Sequence, residues 1–223
     1  MPTIEKRNIP PSERTRVRRI ASQACYDQSA LHQILDEAYL CNIAFQDEKG
    51  IHCIPMACWR HGDHLYIHGS NGSRLIRQLA GGSQVSVSIT HLDGLVFARS
   101  AFNHSMNYRS AIIYGTFKRV VGEKNKRLAL DHFMEKLAPD RDDQVRQGSS
   151  REIASTTVLR ISLDEAVTKI RSGGPKDDAK DMNIPVWAGV LPLELTKKSP
   201  ITEPGVDIEP PAYFNQFSVI SAA

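Results

Sequence analysis

Residues 65–75, Leu65-Tyr66-Ile67-His68-Gly69-Ser70-Asn71-Gly72-Ser73-Arg74-Leu75, read as a strand that ends in a Gly- and Ser-rich turn and runs into a helix. The first N–H groups of a helix lack intrahelical partners and sit at the positive end of its dipole. A phosphate at this turn would meet those donors together with the Ser73 hydroxyl and the Arg74 guanidinium. An ordinary capped turn, with Ser70 or Asn71 as cap and Arg74 in solvent, accounts for the same residues. Neither GxGxxG nor GxxxxGK[ST] is present, so neither a Rossmann site nor a P-loop is supported. Residues 99–110 are polar and aromatic where one strand turns into the next, and include Tyr108, Arg109 and Ser110. Their amides, hydroxyls and guanidinium groups suit the hydrogen-bonding edges of a planar ring such as a flavin. A hairpin loop packed on its own Phe102 and Tyr108 is the plainer account.

Other chemistries find less support. His52, His61, His64, His68, His91 and His104 form no HExxH or HxH set with nearby carboxylates, so no metal site is expected. The absence of a GxSxG elbow argues against a serine hydrolase. Cys25, Cys41, Cys53 and Cys58 contain no CxxC pair and read as buried free thiols. Trp187 lies in an apolar segment, residues 184–193, that follows a charged linker. It is either a core contact or a group placed at a subunit interface or over a ligand pocket.

The elements that must position these residues belong to one domain. At 223 residues, 41% hydrophobic and 24% charged, the chain is long enough for one elaborated core. The net charge of +3 comes largely from Arg14, Arg16, Arg18 and Arg19 and does not call for nucleic acid. No apolar run is long enough to span a bilayer and no secretory h-region opens the chain, so the expected compartment is the cytoplasm. Residues 1–25 read as an arm and residues 196–223 as an irregular tail. Between them the spacing predicts a helix from Ser29, its N-cap, and strands at 42–46, 51–60, 64–68, 85–90, 94–102 and 108–121. A short helix from about 73, a long one over 123–137 and a last strand at 157–161 complete the pattern. Hairpin-length connections favour a mainly β, six-stranded antiparallel barrel with a few peripheral helices.

With these residues in view, the chain resembles the pyridoxamine 5'-phosphate oxidase-like family of FMN-binding split barrels, in the flavin-nucleotide-binding branch related to nitroimidazole-resistance proteins. The resemblance covers roughly residues 28–193. It rests on the order of Tyr66-Ile67-His68-Gly69 with Gly72-Ser73-Arg74, Asp93-Gly94-Leu95-Val96 with Ala98-Arg99-Ser100, His104-Ser105 with Asn107-Tyr108-Arg109-Ser110, and Pro185-Val186-Trp187-Ala188-Gly189. It implies a six-stranded split barrel, a homodimer and two FMN molecules in clefts between subunits. It places Ser73 and Arg74 at the FMN phosphate, Arg109 and Ser110 against the flavin ring, and His68 facing the flavin. Lys169, Arg171 and Trp187 carry over more weakly. The substrate motif of the vitamin oxidases is not matched, because Val158-Leu159-Arg160-Ile161 is followed by Ser162-Leu163-Asp164-Glu165 and then Lys169-Ile170-Arg171. The implied function is an FMN-dependent oxidoreductase acting on a small planar substrate at the dimer cleft. The rivals are a flavin-binding store or sensor without turnover, and a split barrel that binds haem or a deazaflavin.

Overall fold

A computed structural model describes residues 9–217. In chain order it forms β1 (Ala24–Cys25), α1 (Gln28–Glu37), β2 (Leu40–Asp47), β3 (Gly50–Ala57), β4 (Trp59–His61), β5 (His64–Ser70), α2 (Arg74–Ala80) and β6 (Gln84–Phe97). There follow β7 (Ser105–Thr116), β8 (Lys118–Arg119), α3 (Glu123–Leu137), α4 (Ser150–Ser155), β9 (Thr156–Ser162), β10 (Ala166–Arg171) and β11 (Gly189–Pro192).

The mainly antiparallel split-barrel expectation holds, with differences that have local causes. The run read as one strand over 51–60 breaks at buried Cys58, because Trp59 opens a second sheet. The two strands read at 85–90 and 94–102 are one strand, β6, whose register against β7 shifts between Leu92 and Gly94. The extra residue of such a bulge interrupts the period-two pattern and imitates a strand end. The cap of α1 is Asp27, whose carboxylate accepts from the Ser29 N–H at 2.9 Å, and Ser29 lies inside the helix. Lys169 and Arg171, read as following the last strand, lie within β10, and the N-terminal arm ends in β1, which pairs with β10. The strand count is therefore above six, and the barrel does not close as a single sheet.

Seven strands form one sheet in the order β1-β10-β7-β6-β2-β3, with β11 on the far end of β6, and β4-β5-β9-β8 form the other. A two-residue turn, Glu48-Lys49, joins β2 to β3, and Gly50 takes a φ of 116° that a side chain would resist. The main core lies between the sheets, with Ile43, Val87 and Ile113 from the larger one and Leu65, Ile67, Leu159 and Ile161 from the smaller. Because side chains alternate along a strand, the smaller sheet has a second apolar face. There Trp59, Tyr66 and Val158 pack under Ala129, Leu130 and Phe133 of α3. Adjacent residues of β9, Val158 and Leu159, thus enter two different cores.

Among the described residues no helix covers the centre of the outer face of the larger sheet, which is made of short side chains. Ala44, Ser86, Ser88 and Ser110 are part-exposed, and Ile51, Leu40 and Leu92 stand exposed around them. Among the described residues no helix is long and apolar enough to cross a membrane.

Leu159 is fully buried. Leu159→Ala is expected to cost about 2–5 kcal/mol in urea unfolding, through lost transfer energy and the cavity left behind.

Candidate functional site

The nine residues singled out by sequence fall in four places. Ser73 caps α2, its hydroxyl accepting from the Ile76 N–H at 3.4 Å. Arg74 stands beside it, half exposed, and donates from Nη2 to Oδ2 of Asp47 at 2.5 Å. His52 completes this group: its Nε2 lies 2.9 Å from Oδ1 of Asp47 and 3.0 Å from Arg74 Nη2, with its ring stacked on Phe45. The hydrogen bonds from His52 and Arg74 hold the Asp47 carboxyl well below the usual carboxylate range. A phosphate bound here would compete with Asp47 for the guanidinium.

The second place is the β7–β10 ladder, where Tyr108 pairs with Arg171, Arg109 with Ile170 and Ser110 with Lys169. Directly paired residues share a face, so Tyr108, Ser110, Lys169 and Arg171 belong to the outer surface of the larger sheet. Arg171 donates to Oδ1 of Asn107 and to the carbonyls of Gly173 at 3.4 Å and Gly174 at 3.3 Å. The Ser110 hydroxyl donates to the Lys169 carbonyl at 3.2 Å.

Arg109 projects to the opposite face. It donates to both carboxylate oxygens of Asp93 at 3.0 and 2.9 Å and to Glu37 at 2.5 Å. It lines a cleft of about 670 Å³ with Tyr39, Thr90, His91, Asp93 and Lys197. The cleft opens where the edge of β6 is free, between its pairing with β2 at residues 85–88 and with β11 at residues 94–97. Trp187 is the third place. Its indole is 68% exposed, tilts against Phe97 at 5.7 Å and fills the space a Cβ on Gly189 would take, 2.7 Å from Cζ2.

His68 is the fourth. It extends from β5 on the face covered by α3, its ring 5.7 Å from that of Trp59 and 4.9 Å from that of Phe133. Its Nδ1 is buried without a hydrogen-bond partner, as is Nε1 of Trp59 beside it. Buried polar atoms are nearly always paired, so two orphans in one apolar cluster mark a place where a partner is missing. Burial pushes the His68 imidazole below the 6.5 of a free ring, which keeps it neutral with a lone pair to give.

Sequence reasoning missed Asp47, Glu37 and Asp93, which occupy the guanidinium groups, and Trp59 and Phe133, which enclose His68. One signal was available. Asp47 and His52 straddle a two-residue turn, which brings them together at the end of the β2–β3 hairpin. The contacts of Trp59 and Phe133 with His68 join residues far apart in the chain and left no comparable mark.

The order of elements has a counterpart among known proteins. The family model described as pyridoxamine 5'-phosphate oxidase matches residues 27–170. The chain belongs to that family. Among solved structures, the flavocytochrome Anf3 from Azotobacter vinelandii is 34% identical and superimposes with a TM-score of 0.88 over 94% of this chain and 99% of its own. A FAD and haem binding protein from Mycobacterium smegmatis is also 34% identical, with a TM-score of 0.83 over 88% of this chain and 97% of its own. A candidate 5-nitroimidazole antibiotic resistance protein from Bacteroides thetaiotaomicron shares the fold at 22% identity and a TM-score of 0.56, over 66% of this chain and 86% of its own. A search of curated proteins gave no match. The family assignment agrees with the resemblance read from the sequence.

A histidine lowered by burial takes up its proton later in the folded chain than in the unfolded one. Stability is therefore fully present above 6.5 and falls as the pH drops from 6.5 towards the lower folded value. Burial also lowers His32, His61 and His64, so the whole protein should show this slope in its thermal midpoint. His68→Leu is expected to make the slope shallower, and an unchanged slope would place the proton uptake elsewhere.

Proposed function

We propose that this protein binds a flavin and a haem and moves electrons between them as a homodimer. The observation that carries this reading is the likeness, over nearly the whole of both chains, to a flavocytochrome and to a FAD and haem binding protein. The flavin proposed is FAD, after the mycobacterial relative, where the sequence alone led to the expectation of FMN. Haem, one of the rival ligands, becomes part of the reading.

The residues fit both groups. His68 offers a haem iron a neutral imidazole in an apolar setting, with Trp59 and Phe133 against its ring. The outer face of the larger sheet, with Ala44, Ser86, Ser88 and Ser110, lets a planar ring lie close to the backbone. A second copy over this face would bury the exposed Leu40, Ile51 and Leu92 and enclose the ring between subunits. Ser73 and Arg74 are the candidate partners of a flavin phosphate, with Lys169 and Arg171 at the rim of the outer face. Tyr108 and Trp187 are the remaining candidates, Tyr108 beside the ring and Trp187 at the edge, while Arg109, held by Asp93 and Glu37, would act only from the opposite face of the sheet. A bound flavin supplies hydride or single-electron transfer and a haem single-electron transfer, while the protein fixes their positions and excludes water. Electrons drawn from a small planar donor at the dimer cleft would make the protein an oxidoreductase.

An absorbance spectrum of the purified protein, with mass spectrometry of the released chromophores, tests this directly. FAD and haem together are expected. FMN alone would return the reading to the simpler flavoprotein, and a colourless protein that takes up neither added cofactor would overturn it. His68→Ala is expected to lose haem and keep flavin; haem retained at full occupancy would remove His68 as ligand.

Arg74→Ala is expected to weaken flavin binding by about 1.5–3 kcal/mol, roughly ten- to a hundred-fold in a fluorescence titration. Unchanged affinity would take Arg74 out of the site.

A further inference from the structure

The imidazole rings of His61 and His132 stack face to face, their centres 3.6 Å apart and their planes 16° from parallel. His61 ends β4 and His132 lies in α3, so the stack joins the smaller sheet to the helix that covers its second apolar face. Each ring adjoins a member of the cluster beneath. Trp59 is two residues before His61 and on the same side of β4. Phe133 follows His132, and its ring lies 5.0 Å from that of Trp59 and 4.9 Å from that of His68. α3 therefore covers the place where Nδ1 of His68 and Nε1 of Trp59 lack partners. The helix is tied on either side of the stack, Lys126 donating to the carbonyls of Ile153 at 3.2 Å and Thr156 at 2.7 Å, and Lys136 to those of Leu35 at 3.3 Å and Asp36 at 2.8 Å.

No carboxylate balances the pair. Among the described residues the histidines that come within ion-pairing distance of an acid are His32 and His52, not these two. The acids supplied by neighbouring elements are engaged elsewhere, Asp36 of α1 with Arg60 at 2.6 Å and Asp63 of the β4–β5 turn with Gln28 at 2.8 Å. Arg60 precedes His61 on β4, and His64 of β5 pairs with His61 across the hairpin. On α3, Asp131 and Glu135 are the acids nearest His132 in the chain, and Lys136 stands one turn on. Two neutral imidazoles stack as aromatic rings do, and a single proton leaves a cation against a neutral ring. Two imidazolium rings at this separation repel. Burial, the facing His132 and Arg60 all push the His61 imidazole below 6.5. The closed stack thus resists protons that the separated rings accept, and its stability, complete above 6.5, falls as the pH drops below that value.

We propose that the His61–His132 stack is a proton-operated latch, which holds α3 over His68 and Trp59 at neutral pH and releases it in acid, opening a path from solvent to their unpartnered nitrogens. The bistable element is the contact of α3 with the smaller sheet, and the charge on the two rings biases it. His61 is exposed at the rim of this contact, so protons reach the latch without prior opening of the helix. Release needs both rings charged, because either ring alone finds a neutral surface opposite it. The latch is a property of the chain and does not depend on which cofactor the protein carries.

Hydrogen exchange of the purified protein, read by mass spectrometry on peptides of α3 and corrected for the intrinsic dependence of exchange on pH, tests the latch between neutral pH and about pH 5. In the wild type the protection of α3 is expected to fall with acid while that of β6 and β7 holds. His132→Phe and His61→Phe each keep an aromatic ring in the stack and leave one imidazole that can be charged alone. In both, the fall is expected to be smaller than in the wild type by about tenfold, the factor that one unit of proton affinity represents. Unchanged protection of α3 in the acidified wild type would overturn the proposal. So would a fall in both variants as large as in the wild type, which would place the proton uptake at His68 or at another histidine.

Discussion

The fold depends on the pairing of β6 with its neighbours. Over fourteen residues β6 lies against β7 along one edge, and on the other it holds β2 at its beginning and β11 at its end. Its side chains alternate between the main core, through Val85, Val87 and Ile89, and the outer face, through Ser86 and Ser88. The bulge after Leu92 re-aims the strand where it changes partner. The same change of partner leaves a stretch of edge unpaired, and the cleft that holds Arg109 occupies that stretch.

Much of this architecture was legible in the sequence, for physical reasons. Strands with one buried face, such as β2 and the first half of β6, show clean alternation, and α3 shows a stripe with the helical period. What was not legible is whatever depends on distant partners. The break at Cys58 is invisible because residues on both sides are apolar, and only the arrival of Trp59 in a second sheet separates β3 from β4. β10 carries Lys169 and Arg171 and therefore looks like a loop, although its ladder with β7 is complete. Cys53 points outward and is exposed, against the expectation of burial for all four cysteines, because strand parity and not residue type sets its side.

The candidate site divides in the same way. Arg74 and Ser73 were found because a strand, a turn and a cap occur within a few residues. The carboxylates that hold the arginines come from other strands and from α1, so a reading of basic residues alone overstated their availability to a ligand. Arg109 shows this most clearly: it adjoins Tyr108 and Ser110 in sequence yet faces the other way, towards Glu37 and Asp93. His68 is the converse case. Nothing in its neighbours by sequence announces an unpaired imidazole, and the feature arises only once Trp59 and Phe133 close around it.

β9 serves two cores with consecutive residues, Val158 under α3 and Leu159 in the barrel. Inserting or deleting a single residue in that strand would not merely shift it along its neighbour. It would exchange the two sets of side chains, sending a residue fitted to the aromatic cluster into the aliphatic core and the reverse. The segment from Ser172 to Ala188, by contrast, has mostly exposed side chains and few ladder bonds. Length variation between members of such a lineage should therefore collect there and be absent from β9, so that the strand acts as the fixed ruler against which the rest of the chain is free to drift.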